Sequence, residues 1–208
     1  DLLPKSDIYL FALKDDSLAS VIQQLSQNIH AMKGTWIHTA GSVPLSVFPQ
    51  SVQCGVLYPM MTLSKDKDID FKTIPLFVEG NTPQSFKMVE DLANELSDTV
   101  YPLDSAKRKK LHLAAVFANN FTNHCCTLAY HLLEKNGIAP TVLLPIIDET
   151  AQKLHHLSPT EAQTGPAKRW DEKVMNEQLR ELADETELQE IYRLMSQSIH
   201  QHSHSEHD

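Results

Sequence analysis

The sequence predicts an α/β part running to about residue 104, followed by an all-α part built around one long helix. Three observations predict this. Over the first half, short apolar runs alternate with amphipathic stretches and polar or Pro-containing turns, the pattern of a parallel α/β sheet. After Ser105 no strand-like run recurs. The stretch from Ser105 to Asn136 contains neither Gly nor Pro, and Asn136-Gly137 stops it.

Taken in order, DLLP reads as a turn and Ile8 to Leu13 as a buried strand. Asp15, Asp16 and Ser17 form a capping cluster for an amphipathic helix. Gly34 to Ser42 holds a second short strand that ends in the polar turn His38-Thr39-Ala40-Gly41-Ser42. Cys54 to Tyr58 is a third strand closed by Pro59, and Pro75 to Glu79 is a fourth. Thr82 to Glu95 is an amphipathic helix with Pro83 in its first turn and Phe86, Val89, Leu92, Ala93 and Leu96 at helical spacing. Thr99 to Leu103 is a last short strand.

The long helix, SAKRKKLHLAAVFANNFTNHCCTLAYHLLEKN, is capped by Ser105. At about 100° per residue, Ala114, Phe117, Phe121, Leu128 and Leu132 share one face. His112, Val116, Asn119, Asn123 and Thr127 fall opposite, with Asn120 at the edge. Asn is a poor helix former, so amides and an imidazole lined up on a buried helix suggest a polar cleft wall, or else a polar seam satisfied by packing. Pro140 begins a further helix through Leu154, with Pro145 able to kink it. SPTEAQTGPAKRWD is loop-rich and precedes helices near Asp171 to Ala183 and Glu187 to Ser198. His200 to Asp208 reads as a mobile, solvated polar tail, the alternative being weak metal binding by its histidines (His200, His202, His204, His207).

Composition narrows the function classes. With 208 residues and 41% hydrophobic content the chain can form one generous domain or two small ones sharing a core. A net charge of −9 without a basic stripe argues against nucleic acid and anionic membranes as partners. No apolar run approaches the ~20 residues of a membrane span, and no signal peptide is visible at the start. Three cysteines without CxxC spacing point to a reduced, cytoplasmic protein, with Cys125 and Cys126 as small core residues.

In open α/β sheets the ligand sits beyond the carboxyl ends of the strands. The turns Ala12-Leu13-Lys14-Asp15, His38 to Ser42 and Tyr58-Pro59-Met60 line one rim if their strands run parallel. There His38 and Thr39 can offer hydrogen bonds to a ring or carboxamide, Gly41 permits close backbone approach, and Asp15 serves as a helix cap. In Gln163-Thr164-Gly165-Pro166-Ala167-Lys168-Arg169-Trp170-Asp171, Gly-Pro fixes a turn. Arg169 offers a donor fork suited to a carboxylate or phosphate, or pairs with Asp171 or Glu161 to close the loop. No GxGxxG phosphate loop occurs anywhere, and none of the 6 Gly has that spacing, so the sheet reads as incomplete at its N-terminus.

RKKLHLAAVFANNFTNH and SPTEAQTGPAKRWD, with SDIYLFALKDDSL, WIHTAGSVPL, GVLYPMMTLSK and IPLFVEG in order before them, resemble a family assigned as NAD(P)-linked oxidoreductases. Its members join a Rossmann-like domain to a helical domain of unknown function. The resemblance runs to about residue 182, and the Gln-Thr-Gly-Pro-Ala run is its most specific piece. More distantly the chain is similar to the 6-phosphogluconate-dehydrogenase-like C-terminal superfamily, including deazaflavin-dependent NADP oxidoreductases and pyrroline carboxylate reductases.

The resemblance implies a Rossmann-like NAD(P)-binding part over residues 1–104 and an all-α substrate and dimerisation domain over 105–199, followed by the tail 200–208. It implies NADP or NAD as cofactor, NADP slightly favoured, and a homodimer formed through the helical domain. It places Ala12 and Lys14 near the ribose, His38 and Thr39 near the nicotinamide, and His112, Asn120, Asn123, Gln163 and Thr164 on the substrate side. The phosphate loop and the residue that reads the ribose 2′ position would precede residue 1. Two positions depart from the pattern: Ala40 stands where Ser is frequent, and Val116 follows His112 where the superfamily's Lys-to-Asn spacing has no counterpart.

The expected function is hydride transfer between nicotinamide and a small carbonyl, imine or hydroxy substrate in the interdomain cleft. His112 is the proton donor or base, since an imidazole titrates near neutral pH. Asn120 and Asn123 orient the substrate, and Arg169 clamps an anionic group. The alternatives are a non-catalytic protein that binds a dinucleotide or metabolite on the same fold, and a structural helical dimer whose polar seam is packing.

Overall fold

The computed structural model describes residues 4–27, 33–62 and 68–204. The opening turn at residues 1–3, part of the run after Tyr58, and His207 lie outside the described residues. The chain divides into two compact units, residues 1–122 and 123–208.

The first unit is a five-stranded mixed sheet in the order β1-β2-β3-β4-β5. Its strands are β1 (Ile8–Phe11), β2 (Thr35–His38), β3 (Cys54–Pro59), β4 (Leu76–Gly80) and β5 (Val100–Pro102). β1, β2 and β3 run parallel, β4 is antiparallel to β3, and β5 is parallel to β4. All four residues of β2 are buried, as expected of an inner strand covered on both faces. On one side Tyr9, Phe11, Trp36, Phe48 and Cys54 pack with Leu18 and Ile22 of α1 (Asp15–Ser26). On the other, Ile37, Leu57, Leu76 and Val78 pack with Val89 and Ala93 of α2 (Pro83–Leu96). α2 begins where the sequence places it: Thr82 and Ser85 cap it reciprocally, and Pro83 supplies a preset φ where no donor is needed.

The long helix is present but not uniform. α3 (Ser105–Ala115) passes through a π-helical segment, Val116–Phe121, into α4 (Thr122–Lys135). A π turn is wider than an α turn, so a single 100° phase cannot assign faces along the whole run. Two expectations are corrected here. Asp104, not Ser105, caps α3, its carboxylate accepting from the Lys107 N–H at 2.8 Å. The apolar stripe is turned outward: Phe117 is 62% exposed and Phe121 50%, whereas Arg108 on the opposite side is buried.

The second unit is helical. The Pro140 helix is a 3-10 turn, Pro140–Leu143, that leads into α5 (Leu144–Lys153), so Pro145 sits at a helix start rather than at a kink. The loop-rich segment holds two short helices, α6 (Pro159–Ala162) and α7 (Pro166–Arg169). Gly165 has φ 102°, which only glycine tolerates readily, and Trp170 closes α7 in a left-handed conformation. α8 (Glu172–Glu181) and α9 (Thr186–His204) follow. α9 continues past Ser198, so His200 and His202 are helical rather than part of a free tail, and the His200 ring lies 4.7 Å from that of Trp170. Cys125 is exposed, so it is not a core residue; Cys126 is half-buried, and both are unpaired by disulfide. Among the described residues no helix is long and apolar enough to cross a membrane, and no group of three or more His, Cys, Asp or Glu could hold a metal ion.

Candidate functional site

Because β1, β2 and β3 are parallel, the turns that leave them do share one rim of the sheet. Ala12 and Lys14, exposed, follow β1; Lys14 is the N-terminal boundary residue of α1. Asp15 is not the cap. Its carboxylate instead accepts the Ser42 hydroxyl, tying the first rim turn to the second.

The second turn is set by His38 and Gly41. The His38 side chain is 0% exposed and packs against Phe48, so its imidazole faces the core; Ala40 and Gly41 are buried too, and Thr39 and Ser42 are the partly exposed residues of the turn. The Ala40 N–H donates to His38 Nδ1 at 3.2 Å, which makes Nδ1 the acceptor and places the ring proton on Nε2. Nε2 has no hydrogen-bond partner among the described residues. Burial, reinforced by the Arg108 guanidinium, lowers the His38 pKa from 6.5 to about 4, against smaller opposing effects of the Pro44 carbonyl and Asp15.

That shift has a consequence for stability. The folded pKa lies below the unfolded one, so the unfolded chain takes up the proton first as pH falls. The stabilisation is complete above pH 6.5 and is lost toward pH 4. A shift of this size corresponds to roughly 3 kcal/mol at ~1.36 kcal/mol per unit. Chemical denaturation at pH 7.5 and pH 4.5 is expected to show that loss, and His38→Asn is expected to flatten it.

The third turn meets α3. The Tyr58 hydroxyl and His112 Nδ1 share a hydrogen bond of 3.1 Å, with the rings edge to face at 6.1 Å. Gly41 lies against both: a Cβ there would stand 2.6 Å from His112 Nδ1 and 2.9 Å from Tyr58 Cε2. The close approach that Gly41 permits is thus taken up by these two side chains. Burial, then the charge of Asp15, raises the Tyr58 pKa above its usual value, so the phenol keeps its proton at neutral pH. His112 Nε2 makes no hydrogen bond among the described residues, and the residue is half-exposed.

What holds His112 there is one helical turn earlier. Arg108 Nη1 donates to the Glu79 carboxylate of β4, and Nη2 donates to the Val43 carbonyl at 2.7 Å and to Ser105 Oγ at 3.3 Å. Ser105 in turn donates to Glu79 Oε2 at 2.8 Å and accepts from the Leu45 N–H at 2.9 Å. The network clamps the start of α3 to β4 and to the loop after β2, and i to i+4 geometry then carries His112 to the rim. Further along, Asn119 donates to Thr62 Oγ1 at 3.0 Å, while Asn120 is exposed.

Sequence reasoning put Tyr58 in a rim turn and Ser105 at the helix start without joining either to His112, and it did not single out Arg108 or Glu79. The available signals were the i, i+4 spacing of Arg108 and His112 and the lone carboxylate in IPLFVEG. Asn123, Gln163, Thr164 and Arg169 belong to the second unit. There Gln163 donates to the Thr164 carbonyl at 2.9 Å. Arg169 is exposed and forms no ion pair among the described residues: Asp171 caps α8 and Glu161 closes a capping box with Ser158. A separate cavity of about 570 Å³ opens at the opposite ends of the strands, beside Asp7, Thr35 and Gln53, away from His112.

Comparison with known proteins gives these features a setting. The model of a family described as "Domain of unknown function (DUF2520)" matches residues 74–199. The solved structure of the putative NADP oxidoreductase BF3122 from Bacteroides fragilis is 44% identical, with a TM-score of 0.89 over 97% of this chain and 78% of that one. Protein TM1727 from Thermotoga maritima shares the fold at 21% identity and a TM-score of 0.80, over 100% of this chain and 82% of that one. So does the pyrroline carboxylate reductase of Plasmodium falciparum, solved with NADP bound, at 11% identity and a TM-score of 0.53, over 93% of this chain and 77% of that one. No curated protein matches the chain in sequence. The α/β-then-helical fold and the resemblance read from the sequence are both borne out.

Proposed function

Since the chain belongs to the family of the domain of unknown function DUF2520, we propose that it is an NAD(P)-dependent oxidoreductase acting on a small carbonyl, imine or hydroxy compound. The observation that carries this reading is the half-exposed His112 held by Tyr58 and Gly41 on the rim where three parallel strands end. The 44% identity to a protein whose name specifies NADP supports the cofactor class and favours NADP.

The rim residues fit the ribose and nicotinamide portion of such a cofactor. Lys14 and the exposed Ala12 stand at the positively polarised start of α1, suited to ribose or phosphate oxygens. Thr39, the partly exposed residue beside buried His38, suits the carboxamide. The sequence has no GxGxxG run to cradle a pyrophosphate. A nicotinamide held at the rim would supply or accept the hydride. His112 holds the proton that the substrate oxygen or nitrogen gains or loses, and Asn120 orients the substrate. The second unit offers Asn123, Gln163 and Thr164 as substrate-binding groups and Arg169, which forms no ion pair among the described residues, for an anionic one.

In this reading residues 1–104 bind nucleotide and 105–199 serve substrate binding and dimerisation. The exposed Leu113, Phe117 and Phe121 support a homodimer through the helical part, since a row of large apolar side chains gains by being covered. Unpaired cysteines suit the cytoplasm. The test is a panel of ketones, aldehydes and imines with NADPH. Steady oxidation by at least one class is the expected result. A protein that binds NADPH yet turns over none of them is a binding protein instead.

A further inference from the structure

His112 Nδ1 has the Tyr58 hydroxyl as its hydrogen-bond partner, and the Gly41 backbone closes in beside it. A neutral imidazole has one N–H to place. If the phenol donates to Nδ1, the ring proton sits on Nε2, and one strong O–H···N bond forms. If Nδ1 carries the proton instead, it donates to the phenol oxygen, and the hydroxyl must fall back on Met60 Sδ at 3.8 Å, a weak acceptor. The first arrangement is the better satisfied.

We propose that Tyr58 is a positioning residue that fixes neutral His112 with its proton on Nε2, so that the rim presents a hydrogen-bond donor to its ligand. In its resting state such a site meets the ligand through an acceptor atom, a carbonyl, carboxylate or hydroxyl oxygen or an imine nitrogen. The raised Tyr58 pKa agrees, because the hydroxyl keeps the proton it donates. When His112 is protonated, Nδ1–H donates to the phenol oxygen, the hydroxyl turns to Met60, and Nε2 still bears a proton. A carboxylate partner would do the opposite: it would hold the ring proton on Nδ1 and leave Nε2 as a base. Only the identity of the ligand rests on the oxidoreductase reading; the placement of the proton does not.

The test is nitrogen-15 NMR of the histidine-labelled full-length gene product above neutral pH, without cofactor, using His112→Asn to assign the ring. The expected spectrum has Nε2 protonated and Nδ1 as a hydrogen-bonded imine nitrogen, the other tautomer being roughly tenfold rarer. In Tyr58→Phe, Nδ1 is expected to move to the position of an unbonded imine nitrogen and the minor tautomer to rise several-fold. A proton on Nδ1 in the wild type overturns the proposal, as does a Phe variant with an unchanged Nδ1 signal. Should the Phe variant fail to fold, Met60→Leu decides. It removes the hydroxyl's other acceptor, so the Nε2–H form must persist, and a shift toward Nδ1–H overturns the proposal. Because no cofactor is present, the outcome stands whether or not the protein binds NADPH.

Discussion

Arg108→Ala is expected to destabilise the first unit by about 3–5 kcal/mol, the usual cost of removing one partner from a buried ion pair. Arg108 is 1% exposed, and its guanidinium serves Glu79, Val43 and Ser105 at once. The alanine leaves the Glu79 carboxylate with Ser105 alone and deprives the Val43 carbonyl of its side-chain donor. Thermal or urea unfolding of the two proteins reads the loss. The double variant Arg108→Met with Glu79→Leu is expected to recover much of it, because apolar groups of similar size remove the uncompensated charge along with the pair. A single variant as stable as the wild type would mean that α3 is held to the sheet by packing alone.

His112→Ala is expected to lower turnover of any substrate by about 10²- to 10⁴-fold, the range for a general acid or base. The ring is half-exposed, so the variant is expected to fold normally and to bind NADPH within about twofold of the wild type. Gly41→Ala is the companion variant. Its Cβ, 2.6 Å from Nδ1, forces the imidazole or Tyr58 aside without removing either. Displacement by about 1 Å can cost on the order of 10²-fold, so turnover falls while the imidazole remains. Unchanged turnover in His112→Ala removes that residue from the mechanism.

How far the sequence carries differs between fold and site. The strands and α2 were readable because each depends on local rules. Pro83 starts a helix, Asn136-Gly137 ends one, and apolar runs four to six residues long make inner strands. The rim was readable in outline for the same reason: once the strands are parallel, their exit turns must fall together. The long helix was misread on its apolar side, because a row of large apolar side chains at helical spacing ordinarily packs inward. Here Arg108 points inward, made soluble in the protein by Glu79, 29 residues away, and Phe117 and Phe121 point out. Nothing in the run KRKK marks which of its cations is buried. Tyr58 likewise looks like the last residue of a strand until His112, 54 positions later, is seen against it. His38 was noticed for its chemistry, but desolvation keeps it neutral and within the core. The π segment also has no local signature in VFANNF, and it is what breaks the simple helical phase near Asn119 and Asn120.

The measurement that tests the central claim most directly is a nicotinamide-fluorescence titration of the full-length gene product with NADPH and with NADH. Saturable binding, tighter for NADPH, is the predicted result. Absence of binding by either nucleotide to the folded protein would contradict the oxidoreductase reading and leave the rim around His112 as a metabolite site on a shared fold.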